Sequence, residues 1–183
     1  MNLEMKIYEK EGFIFTRIKK NHYKINFGME NNNIFLSNTI DFNLIQLIYS
    51  LNQDVYEKVE LEIINENKAI AIFLFKNFFE EIGFSQKFSY LNIEKVIQEN
   101  KIIFHSKNIP CIRPHGIPFE AEEMEIENMS CVVEIITNHK VNFEIDITYP
   151  TNVVIPTFAE KIVGIILYKI FNRVKQFIEK IHI

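Results

Sequence analysis

The chain has 183 residues, 48% of them hydrophobic and 24% charged, with five glycines, five prolines and a net charge of −4. That composition belongs to a folded globular chain and excludes a linker or disordered tail, and a chain of this length buries roughly 70% of its unfolded surface. The acidic balance and scattered Lys and Arg argue against nucleic acid as the main partner, because phosphate contacts need clustered positive charge.

Two cysteines, Cys111 and Cys131, give no disulfide framework, and the start MNLEMKIYEKEG lacks the apolar stretch of a secretory signal. No apolar run reaches the roughly 18 to 20 residues that a membrane span requires. These features predict a cytoplasmic protein, or one of the host cytosol if the source is viral. No repeat or linker divides the chain, so one domain is expected over residues 1–183, with an N-terminal meander and helix over 1–58 and the remaining sheet and C-terminal helix over 59–183.

From the N-terminus, Gly12 to Ile18 and His22 to Met29 alternate, and the cluster Glu30-Asn31-Asn32-Asn33 precedes a short third strand, Ile34 to Ser37. Arg17, Lys19, Lys20, His22 and Lys24 form a local basic cluster that straddles the turn between the first two strands, as a solvated hairpin tip does. Thr39 or Asp41 can cap a helix carrying Leu44, Ile45, Leu47, Ile48 and Leu51, which ends near Asn52. Val59, Leu61 and Ile63 alternate with Glu60 and Glu62 as a half-buried strand. A second internal helix is expected from Asn65 or Asn67 through Ile82, stopped by Gly83, and it is apolar on nearly every side.

Strands return in the second half. Phe88 to Gln98 and Lys101 to Lys107 fit a hairpin, and Glu122 to Thr137 pairs with Lys140 to Tyr149 around an Asn138-His139 turn. Val141, Phe143, Ile145 and Ile147 are expected to face inward. After Pro156 one continuous helix is predicted, its stripe formed by Phe158, Ile162, Ile166, Ile170, Val174, Phe177 and Ile181 and widened by Val163, Leu167, Phe171 and Ile178. The fold class is therefore α+β: a mainly antiparallel sheet with two internal helices and a long C-terminal helix packed across it.

The order of elements over roughly Val59 to Ile183 resembles the helix-grip arrangement of START and Bet v 1 proteins. There the last helix lies across a curved sheet and encloses an apolar cavity. The resemblance implies an apolar small molecule or lipid between the Val141 to Tyr149 strand and Phe158, Ile162, Ile166 and Ile170.

Other residues could carry chemistry. Glu123, Glu125 and Glu127 alternate, and Glu134, Glu144 and Asp146 follow on the next strands. Converging carboxylates of this kind, in particular Glu125, Glu127, Glu144 and Asp146, could hold Mg²⁺ or Mn²⁺ for phosphoryl chemistry. Glu60 and Glu62 repeat the spacing, which is similar to the glutamate pairs of CYTH tunnel triphosphatases. That family also needs many inward Arg and Lys, and this chain has Arg at 17, 113 and 173 alone.

The loop Ile109 to Pro118 holds three prolines with Cys111, Arg113 and His115, so a stiff backbone presents a thiol, a guanidinium and an imidazole suited to recognition. His105, Cys111 and His115 could ligate zinc, but a fourth ligand is not evident. Either cysteine could pair with His105, His115 or His139 as a nucleophile, without any surrounding signature, and Cys131 reads more simply as a core residue. The five glycines are isolated from one another, so no phosphate-binding loop exists.

Two function classes follow. The first is a non-catalytic binding protein without a cofactor, whose apolar helix surface takes a partner chain, a second copy of itself or an apolar ligand through Phe158, Ile162, Ile166 and Ile170, with Arg113 and His115 as polar contacts. The second is a metal-dependent hydrolase or phosphotransferase built on the sheet-face carboxylates.

Overall fold

A computed structural model describes residues 4–78, 80, 84–110 and 113–182. Its first three strands, β1 (Met5–Lys10), β2 (Phe13–Lys19) and β3 (His22–Glu30), form an antiparallel meander. The β1–β2 turn is Glu11-Gly12, both at positive φ, the two-residue geometry whose twist matches the flanking strands. The third strand of the meander is thus β1, not Ile34 to Ser37. That later segment is a bend leading into a 3₁₀ turn, Leu36–Asn38, where the Leu36 N–H donates to Asn138 O and its side chain is fully buried.

Helix α1 (Asn43–Leu51) follows as expected, with Asp41 Oδ1 accepting the Asn43 N–H at 2.8 Å. Strands β4 (Tyr56–Asn65), β5 (Lys68–Phe75), β6 (Lys87–Gln98) and β7 (Lys101–Asn108) then run antiparallel. The expected second internal helix is strand β5, entered through a turn in which Asn65 Oδ1 accepts the Asn67 N–H. Lys76, Asn77 and Phe78 follow the strand without helix, and Phe79, Ile82 and the Gly83 stop lie outside the described residues. Both faces of β5 are covered: Ala69, Ala71 and Phe73 point to one core, while Ile72 and Leu74 meet Phe88, Ile117 and Ala121 on the other side. A strand covered on both faces reads as an unbroken apolar run, which periodicity cannot tell from a buried helix.

The short β8 (Glu122–Glu123) pairs with β6, and β9 (Asn128–Thr137) and β10 (Lys140–Thr148) complete the sheet. Its order is β1-β2-β3-β10-β9-β7-β6-β5-β4. Helix α2 (Thr157–Glu179) crosses the concave face. Val141, Phe143, Ile145 and Ile147 face inward from β10 as the alternation requires.

The helix is rotated relative to the expected stripe. Its sheet-facing positions are Glu160, Gly164, Tyr168, Val174 and Ile178, with Val163, Leu167 and Phe171 beside them. Phe158, Ile162 and Phe177 point outward, at 53%, 38% and 46% exposure. Ile166 and Ile170 turn sideways onto Val55 and Tyr56 at the far edge of the sheet. The helix also stops at Lys180, where Asn31 Nδ2 donates to the carbonyls of Ile178 and Ile181.

Among the described residues, no helix is long and apolar enough to cross a membrane.

Candidate functional site

Two apolar clusters meet on the concave face. The larger lies beneath α2 and is filled by aromatic rings: Phe27 stacks on Phe143 at 4.6 Å and on Phe171 at 4.7 Å, and Phe13 joins Phe27 and Phe171 within 6.4 Å. The smaller collects Ala69, Ala71, Leu91 and Ile93 of β5 and β6 around Phe42 and Ile126. Phe104, Met129, Ile147 and Tyr149 pack against both and therefore line the seam.

The seam is only partly covered. Burial alone pushes the Cys131 thiol and the Tyr149 phenol up to about 12. Yet both side chains keep accessible surface, as do Phe104, Met129, Ile147, Phe73 and Ile45, while Val133, the next inward residue on β9, is fully covered. These half-buried side chains share the concave face in front of the central strands.

The N-terminal end of α2 is tied down beside it. Glu160, 4% exposed, accepts two bonds from Arg17 Nη1 at 2.8 and 3.0 Å and one from the Tyr23 hydroxyl at 2.7 Å. Burial and this bond raise the Tyr23 pKa. Asn21 Nδ2 holds the approach to the helix by donating to the Pro150 and Val153 carbonyls. Gly164 permits the close crossing, since a Cβ there would fall 2.9 Å from Tyr8 Cβ and 3.0 Å from Phe15 Cδ1.

The other candidate residues lie elsewhere. Arg113 and His115 sit in the loop that covers the convex face, on the opposite side of the sheet from α2. Arg113 Nη1 donates to Pro118 O and Ala121 O at 2.6 and 2.7 Å, with its guanidinium over the Phe88 and Phe119 rings. A cavity of about 260 Å³ beside it is lined by Phe88, Tyr90, Ile109, Arg113, Pro114 and Glu123. His115 is exposed, and its carbonyl accepts from Lys58 Nζ. Cys111 of the expected zinc set lies outside the described residues, while its other members, His105 and His115, are exposed.

The carboxylates do not converge. Glu144 pairs with Lys24 at 3.2 Å and Asp146 with His22 at 2.9 Å on the outward face, while Glu125 and Glu127 are exposed between β8 and β9. Among the described residues, no three His, Cys, Asp or Glu side chains form a group able to hold a metal ion. Cys131 is the reverse of an activated nucleophile, because burial disfavours its thiolate. His139 is held structurally, its Nδ1 lying within 3.1 Å of the Asn31 and Ile34 carbonyls.

A curved antiparallel sheet gripped by a C-terminal helix is the START-type helix-grip fold. Neither a family model nor a curated protein matches the sequence. Among solved structures, the chain is similar to the human StarD13 (DLC2) lipid transfer and protein localization domain, with TM-score 0.70 at 8% identity over 99% of this chain and 91% of that one. Human STARD10 matches at TM-score 0.67 and 8% identity over 94% of this chain and 73% of its own. A STAR-related lipid transfer protein from Xanthomonas axonopodis gives 0.66 at 8% identity, covering 94% and 97%. At such identities the likeness shows the fold.

Proposed function

We propose that this chain is a non-catalytic carrier or receptor of an apolar small molecule, held in a chamber between the sheet centre and the helices. The observation that carries this reading is that Cys131, Tyr149, Phe104 and Met129, at the meeting of two apolar clusters on the helix-covered face of the sheet, are only half-buried. An apolar space of this kind favours ligands that bury hydrocarbon, at roughly 25 cal/mol per Å² of surface removed from water. The helix-grip neighbours support the reading, since two of them are described as lipid transfer proteins or domains.

Native mass spectrometry of the protein from its expression host tests it. The expected result is an apolar adduct on the 21.8 kDa chain that solvent extraction removes and Nile red replaces. A bare chain that also fails to take up Nile red would refute the reading.

A second reading, docking of a partner chain or a second copy, is favoured by the outward row Phe158, Ile162 and Phe177 on α2. Sedimentation of Phe158→Asp against wild type checks it: a dimer lost in the variant supports self-association, and a wild-type monomer removes it.

A further inference from the structure

On the convex side of the sheet, across from α2, the cavity of about 260 Å³ has an apolar floor of Phe88, Tyr90, Ile109 and Pro114, none of them exposed. Two exposed charges of opposite sign, Arg113 and Glu123, stand at its rim. They do not close on each other, because each is held by bonds of its own. Arg113 Nη1 donates to the Pro118 and Ala121 carbonyls at 2.6 and 2.7 Å, and the guanidinium lies over the Phe88 ring at 5.4 Å. Glu123 Oε1 accepts from Asn108 Nδ2 at 2.8 Å, and the Asn108 side chain is fixed in turn by accepting the Ile126 N–H.

Among the described residues neither charge has an ionic partner, although the other two arginines do, Arg17 with Glu160 and Arg173 with Asp54. The Nε and Nη2 donors of Arg113 and the Oε2 of Glu123 are likewise without partners among the described residues. An open guanidinium edge takes a carboxylate in two parallel bonds, and a carboxylate oxygen takes an ammonium.

We propose that this cavity binds a small zwitterion with an apolar body, the chemistry of a free apolar α-amino acid. Its carboxylate meets the open edge of Arg113, its ammonium meets Glu123, and its hydrocarbon covers the apolar floor. Charges fixed in advance cost little ordering when the ligand arrives. A purely anionic ligand is repelled by Glu123 and a purely cationic one by Arg113, so the pair selects for both charges in one molecule. Nothing in the site depends on ligand binding at the helix-covered face.

NMR titration of the isotope-labelled protein with L-phenylalanine, N-acetyl-L-phenylalanine, L-phenylalanine amide and O-phosphoethanolamine at neutral pH tests the proposal. L-Phenylalanine should give saturable amide shifts centred on Tyr90 and Glu123, and either blocked derivative should bind about tenfold more weakly, the scale of one charge-assisted hydrogen bond. The amide should lose affinity even though the chain's net charge of −4 attracts cations. O-Phosphoethanolamine carries both charges, as a lipid headgroup does, but no hydrocarbon body, and should also bind more weakly. Glu123→Gln keeps an acceptor for Asn108 and should lower L-phenylalanine affinity about tenfold while N-acetyl-L-phenylalanine binds as before or tighter. The proposal is overturned by the absence of saturable shifts at the cavity, by either blocked derivative binding as tightly as L-phenylalanine, or by unchanged affinity in folded Glu123→Gln. O-Phosphoethanolamine binding more tightly than L-phenylalanine would overturn the amino-acid assignment in favour of a headgroup.

Discussion

Gly164 on α2 crosses Tyr8 on β1 so closely that a Cβ on the glycine would lie 2.9 Å from the tyrosine Cβ, below any normal contact. The helix can seat against the meander only because that position lacks a side chain. Gly164→Val should destabilise the fold by about 2 kcal/mol through overpacking, beyond any gain in helix propensity. Urea unfolding checks it; a stability within 0.5 kcal/mol of wild type, roughly the scatter of a neutral surface change, would contradict the seating.

The same seat depends on a buried charge. Arg17→Met leaves the buried Glu160 charge without its counter-ion, bonded by the Tyr23 hydroxyl alone, and should cost about 3–5 kcal/mol. Arg17→Met combined with Glu160→Gln should recover much of that loss, because the stranded charge is gone. Comparing the single and double variants by chemical denaturation isolates the pairing from the packing.

Ile170, 3% exposed, and Phe158, 53% exposed, were equivalent members of one apolar stripe by spacing. Ile170→Asp should unfold the chain or lower stability by more than about 3 kcal/mol, whereas Phe158→Asp should change it by less than about 0.5 kcal/mol. Circular dichroism melts of the two variants read the difference directly.

Alkaline pH should loosen the chamber. The Cys131 thiol rises from an ordinary 9.0, and the Tyr149 phenol from 10.0, to about 12 in the folded chain. A group with a raised folded value stabilises fully below its unfolded value and loses that contribution as pH climbs to the folded one. Stability should thus be flat up to about pH 9 and fall between pH 9 and 12. Cys131→Ser should remove the earlier part of that decline in melts recorded against pH.

Much of the fold was legible because its strands obey a period of two with a wet outer face. Val141, Phe143, Ile145 and Ile147 alternate with Asn142, Glu144 and Asp146, and α1 carries both its stripe and Asp41 at its start. Legibility failed where a second surface changed the rule. β5 is apolar on both faces because the crossover loop covers its outer side, so it imitated a helix. The inward face of α2 was misjudged because it carries a glutamate, a glycine and a tyrosine, which hydrophobic counting ranks last, although each is there for a contact with Arg17, Tyr8 or Glu11. The carboxylate grouping failed because alternation also sends Glu144 and Asp146 outward, where Lys24 and His22 on β3 meet them.

The chamber itself is tested most directly by filling it. Cys131→Phe places a ring where the account puts open apolar space, so Nile red binding should be lost while the melting temperature stays within about 3 °C of wild type. A collapse of stability, as overpacking a solid core produces, or dye binding unchanged in a folded variant, would contradict a ligand chamber at this seam.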